Sequence, residues 1–132
     1  LYKRTKFIKL DWNHKGFFKK ILEINKKFSK KNKFDLIVSN PPYLLKSEMK
    51  NVMKEVKYEP STSLYDKKDG LNFYRRILPK INLLISKKSF IYFEINPKNS
   101  KKIAKICRNN NFHNFQYILD LSGRKRFILI KN

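Results

Sequence analysis

Asn40-Pro41-Pro42-Tyr43 is the segment of this sequence best equipped for chemistry. It follows Phe34-Asp35-Leu36-Ile37-Val38-Ser39, an apolar run dense in strand formers and too short for a helix. An Asn is thereby expected at the carboxyl end of a buried strand, where open α/β sheets bind ligands. Each proline fixes its own φ and extends the residue before it, and together they remove two N–H donors. The product is a stiff turn that leaves the Asn40 amide and the Pro41 carbonyl as acceptors, with the Tyr43 ring beside them. Two such acceptors suit the alkylation of a planar nitrogen, whose lone pair is delocalised. By binding both N–H groups they would aim the nitrogen at a methyl donor and favour the more positive nitrogen of the transition state. The ring would cover the flat face of the substrate. No strong base is required, because the proton can leave after methyl transfer. A proline-ended strand with no chemistry is the competing reading, since Asn-Pro is also a common turn signal.

The rest of the chain alternates strand and helix patterns around this motif. Thr5 to Leu10 reads as a strand. Phe17, Phe18, Ile21, Leu22 and Phe28 form one helical face from about Lys15 onward. The stretch 44–68 is a long connection holding Pro60 and one short helix near Ser47 to Glu55, and a loop of that length is usually functional. Asp69 is suited to cap a helix with apolar positions at Leu71, Tyr74, Ile77, Leu78, Ile81 and Ile85, which Pro79 should kink or divide. Ser89 to Ile95 is a second buried strand, ended by Asn96-Pro97. Ser100 to Arg108 is a helix stopped by three asparagines. Phe115 to Leu119 and Arg126 to Ile130 pair as a hairpin across Ser122-Gly123. This order predicts an α/β fold closing on an antiparallel hairpin.

Other reactive side chains lack partners at useful spacing. His14 and His113 have no companion at metal-ligand distance, so no metal site is expected. Ser39, Ser61 and Ser63 belong to no Ser-His-acid arrangement. Cys107 sits among Ile103, Ala104 and Ile106 and reads as a small buried hydrophobe. Glu94, at a strand end, reads as a structural hydrogen-bond acceptor. One cysteine permits no internal disulfide and suits a reducing, cytoplasmic setting. No run of 18 apolar residues exists, so no spanning helix and no membrane partner are expected. The net charge of +22 raises the question of nucleic acid. Lys far outnumbers Arg, however, and Asn, Ile and Phe abound, which is the residue set of AT-rich codons. A dispersed basic surface is the favoured reading, one that could still help a substrate near the ribosome to dock.

Phe34 to Tyr43 resembles the motif of class I S-adenosylmethionine-dependent amino-methyltransferases, many of which act on adenine. Tyr58-Glu59-Pro60-Ser61-Thr62-Ser63-Leu64-Tyr65 and Asp69-Gly70-Leu71-Asn72-Phe73-Tyr74-Arg75 resemble the HemK/PrmC family, which methylates a glutamine of peptide-chain release factors. Asp120 to Phe127 is similar to that family's last hairpin. The resemblance implies a Rossmann-like class I methyltransferase sandwich with S-adenosyl-L-methionine as cofactor. It implies catalytic and substrate-binding roles for Asn40, Pro41, Pro42 and Tyr43. It also implies cofactor contacts from Asp11, Trp12 and Asn40, and a substrate-binding role for Glu59, which would order the long loop over the site. The expected reaction is methyl transfer to the side-chain amide of the glutamine in the Gly-Gly-Gln loop of release factors. N6-adenine methylation of DNA or RNA, or an inactive remnant, is the alternative. The sequence departs from the family in one respect. Its three glycines, Gly16, Gly70 and Gly123, are far apart, so neither the Gly-rich cofactor turn nor the ribose-binding acid that follows it is visible. Residues 1–132 are therefore expected to be the carboxyl-terminal part of the catalytic domain, lacking its first strands and inactive alone.

Overall fold

The computed structural model describes residues 5–28, 32–44, 48, 66 and 69–132. Among them the alternating patterns become helix α1 (Phe17–Phe28), strand β1 (Phe34–Ser39), helix α2 (Asn72–Ile81), strand β2 (Ile85–Glu94), helix α3 (Ser100–Asn109), strand β3 (Phe115–Leu119) and strand β4 (Lys125–Lys131). The sheet order is β1-β2-β4-β3. β1 and β2 are parallel, with α2 in the connection between them, and β4 runs antiparallel to both β2 and β3. This is a Rossmann-like α/β arrangement with the expected closing hairpin.

Register decides which face is buried. Ile37 lies beside Ile91 and Ile91 beside Ile130; Ser39 lies beside Phe93 and Phe93 beside Ile128. Ile91, Phe93, Ile128 and Ile130 are fully buried and share one core with Phe18 of α1, Tyr74, Leu78 and Ile81 of α2, and Ile103 and Cys107 of α3. Burying each of these large side chains contributes about 1.5–3 kcal/mol as an upper bound. The alternate residues face the other way, and there Leu36, Val38 and Phe90 remain 56%, 66% and 43% exposed. The described helices thus cover one face of the sheet, giving two layers where a sandwich has three. Among the described residues β1 has a neighbour on one side only, so there it is an edge strand with exposed apolar residues and not the buried strand its composition suggests. Residues Thr5 to Leu10 form no strand, and Phe7 among them is 94% exposed.

Local chemistry explains the other departures. Helix α2 stops at Ile81, leaving Ile85 to begin β2. Pro79 lies inside its last turn, and the helix runs on past it to Ile81 instead of being divided there. Leu71, not Asp69, occupies the N-cap position. The first N–H groups are nevertheless met by acids: Asp69 Oδ1 accepts from Leu71 N at 3.2 Å and Asp66 Oδ2 from Asn72 N at 2.8 Å. β2 starts four residues earlier than its apolar run, through an irregularity that contains Lys88 at φ 64°. Asn96 ends β2 and accepts from Lys98 N at 3.1 Å, opening a 3-10 turn (Pro97–Asn99) that leads into α3. Cys107 is fully buried, and burial pushes its thiol up to about 12, so it packs as a hydrophobe and does not act as a nucleophile.

Candidate active site

Asn40 is exposed immediately beyond β1, followed by buried Pro41 and half-buried Pro42 and Tyr43. The turn is held at its Tyr43 end by two contacts from distant parts of the chain. The first is made by Gly70, whose φ of +75° only glycine adopts without strain. A Cβ built there would lie 2.6 Å from the Tyr43 carbonyl oxygen and 2.9 Å from Asn99 Nδ2. Gly70 is held in turn: Asn99 Nδ2 donates to the Asp69 carbonyl at 2.9 Å, and Arg75 grips the Asp69 carboxylate with two N–H groups at 2.8 and 2.7 Å. The Arg75 guanidinium accordingly holds the Asp69 carboxyl below the usual carboxylate range. The Asp-Gly-Leu segment and the Asn-Pro-Pro-Tyr segment, separate in sequence, are therefore one packed unit.

The second contact is the Tyr43 hydroxyl, which donates to the Glu94 carboxylate at the end of β2. Burial first, and then Glu94, push the Tyr43 phenol up to about 12. Glu94 is anchored through its own carbonyl, which accepts from the buried Tyr74 hydroxyl at 2.6 Å. The reading of Glu94 as a structural acceptor agrees with this geometry.

An apolar cleft of about 420 Å³ runs along β1, lined by Trp12, Phe17, Ile37, Ser39, Phe73 and Phe93 among others. Ser39 is the residue before Asn40, so the cleft reaches the motif. Trp12 meets Phe73 edge to face with ring centroids 5.3 Å apart. Asp11 does not share this cleft. It borders a separate depression with Lys9, His14, Lys19 and Lys20, and its carboxylate accepts from Asn13 N at 2.8 Å. Trp12 and Ser39 are thus brought together, while Asp11 stands apart. Glu59 lies outside the described residues, as does the short helix expected near Ser47 to Glu55, apart from Glu48. The cleft offers an aromatic apolar wall suited to a purine ring, and among the described residues no carboxylate lines it. Its described residues fit the adenine end of S-adenosylmethionine, and none of them is a partner for the ribose hydroxyls.

Arg76, which attracts no attention in the sequence, is the residue that places Trp12. From α2 it donates to the carbonyls of Trp12 at 3.0 Å, Asn13 at 2.7 Å and His14 at 3.2 Å, clamping the turn before α1. Its only sequence signal is adjacency to Arg75 on the same short helix; nothing local says that a turn some sixty residues away presents three carbonyls.

Comparison with known proteins bears on the family and the fold. The family model described as Eco57I restriction-modification methylase matches residues 3–127. A release factor glutamine methyltransferase of Fusobacterium nucleatum is 41% identical over 106 residues, 80% of this chain and 30% of the relative. One from Clostridium acetobutylicum is 33% identical over 107 residues, 80% of this chain and 38% of the relative. The chain therefore spans about a third of the length of these relatives. The crystal structure of a release factor-specific protein-(glutamine-N5) methyltransferase from Alicyclobacillus acidocaldarius superposes with a TM-score of 0.57 at 19% identity, over 95% of this chain and 63% of that one. That likeness establishes the fold.

Proposed function

We propose a function from the premise that this chain belongs to the methylase family whose model it matches over residues 3–127, and to the HemK/PrmC methyltransferases. The protein that carries it transfers a methyl group from S-adenosyl-L-methionine to the side-chain amide nitrogen of a glutamine, in the Gly-Gly-Gln loop of peptide-chain release factors. The observation that carries this reading is the packing of Gly70 against the Tyr43 carbonyl. It joins the amino-methylating motif to the segment that resembles release-factor methyltransferases.

The cofactor supplies an electrophilic methyl group. The work of this chain is positioning. The Asn40 side-chain oxygen and the Pro41 carbonyl accept the two N–H groups of the target amide and grip harder as positive charge develops on its nitrogen. Pro41 and Pro42 keep these acceptors fixed, so little reorganisation accompanies the reaction. The Tyr43 ring covers the amide face and excludes water. Trp12, which lines the cleft along β1, would pack against the adenine of the cofactor. Because no Gly-rich cofactor turn is visible in the sequence, and no carboxylate among the described residues lines the cleft along β1, these 132 residues by themselves are expected to bind the cofactor weakly and not to turn over.

A second reading, amino-methylation of adenine in DNA or RNA, draws on the restriction-modification description of the matching family model. Offering release factor, DNA and RNA separately with radiolabelled cofactor decides between them. Label in release factor alone is expected, and label only in nucleic acid would move the assignment to adenine.

A further inference from the structure

We infer that Glu94 is a positioning residue for Tyr43: its carboxylate, backed by Arg126, fixes the ring as a wall of the amide pocket. The inference rests on the methyltransferase reading of the Asn-Pro-Pro-Tyr turn and adds a residue to it. Tyr43 follows two prolines, which set the backbone but leave the ring free to rotate. A half-buried phenol needs an acceptor, and the one it meets is Glu94. Glu94 alternates with the buried Phe93, so its side chain leaves the sheet on the face opposite the core, beside the Asn-Pro-Pro-Tyr turn.

The acid is not left alone. Arg126 Nη1 lies 3.8 Å from Glu94 Oε1, and Arg126 Nη2 lies 3.3 Å from Asp120 Oδ2. Asp120 in turn accepts from Ser122 N and Arg124 N, each at 3.0 Å, and from Arg124 Nε at 3.0 Å. Arg126 and Glu94 are only 27% and 22% exposed. A line of alternating charge thus runs from the hairpin turn through Asp120, Arg126 and Glu94 to Tyr43. Its two ends are hydrogen-bonded to the main chain: Gly123 N donates to the Asp120 carbonyl at 2.9 Å, and the Tyr74 hydroxyl donates to the Glu94 carbonyl. Partly exposed ion pairs add little to folding free energy. Their larger consequence here is orientation, which matters most beside a reacting atom.

Titration of Tyr43 by carbon-13 tyrosine NMR, assigned with Tyr43→Phe, tests the contact without reference to any activity. Among the described residues, the charged and titratable groups that face the phenol are Glu94, Arg126 and Tyr74. At pH 11 Glu94→Gln should show a larger ionised fraction of Tyr43 than wild type, because a negative neighbour is gone. Arg126→Gln should show a smaller one, because a positive neighbour is gone. Equal ionisation in wild type and Glu94→Gln, or easier ionisation in both variants as a merely loosened loop would give, overturns the inference. In methyl transfer, Glu94→Gln should lower kcat on the order of 10-fold or more with the cofactor KM unchanged, and Glu94→Asp should recover part of the loss. An unchanged kcat in Glu94→Gln refutes the positioning role. A wild-type protein that methylates nothing would refute the assigned activity instead, and the titration would still decide the contact.

Discussion

The main chain of Gly70 lies directly on the carbonyl of Tyr43, so close that a Cβ on Gly70 would come within 2.6 Å of the oxygen. Two segments that look independent in sequence are therefore a single piece of the site. Gly70→Ala should be costly twice over, through its positive φ and through the collision. A loss of stability of about 1–3 kcal/mol is expected, together with a displaced Asn-Pro-Pro-Tyr turn. Thermal unfolding and methyl transfer measured on the same variant check this. An unchanged melting temperature would mean that the contact is looser than the structure shows.

Arg76 holds the turn that carries the only tryptophan of the chain. Arg76→Met keeps the bulk of the stem and removes the three donated hydrogen bonds. The emission of Trp12 should shift to the red as the indole leaves Phe73 for solvent, with the helical signal retained. Emission identical to wild type would show that packing alone keeps Trp12 in the cleft.

The phenol of Tyr43 gives stability a defined alkaline limit. Its folded value, about 12, lies above the ordinary 10. Between these values an unfolded chain has released the proton while the folded one retains it. The contribution is therefore fully present below pH 10 and is lost as pH rises towards 12. Tyr74 shifts in the same direction, chiefly through burial, and adds to the loss. Denaturant midpoints from pH 8 to 11 should fall above pH 10 in wild type and fall less in Tyr43→Phe. Equal pH dependence in the two proteins would contradict the assigned environment of Tyr43.

The legible parts of this molecule were those set by local rules. β1 and β3 begin and end where their apolar runs do, because Asn-Pro and the hairpin turn punctuate them. The α/β class follows from the alternation. Cys107 reads correctly because Ile103 and Ala104, one turn earlier, share its buried helix face. The exposure of Leu36 and Val38 was not legible, because an apolar run looks the same in an edge strand as in a central one. Thr5 to Leu10 has strand composition, but no described strand pairs with it. The hold of Gly70 on Tyr43, of Arg76 on the Trp12 turn and of Arg126 on Glu94 all depend on distant segments meeting. No window of sequence records such encounters. The family resemblance marked Gly70 and Tyr43 as members of motifs without saying that they touch.

The claim on which the account turns is that Asn40, exposed at the end of β1, grips the target amide. Single-turnover methyl transfer to a release factor by the whole protein, wild type against Asn40→Ala, tests it most directly. Removing one of two preorganised acceptors should slow the chemical step on the order of 10²–10³. Circular dichroism should be unchanged, because Asn40 lies beyond the strand and outside the core. A folded Asn40→Ala protein with a near-normal single-turnover rate would contradict the account and leave Asn40-Pro41-Pro42-Tyr43 as a turn without chemistry.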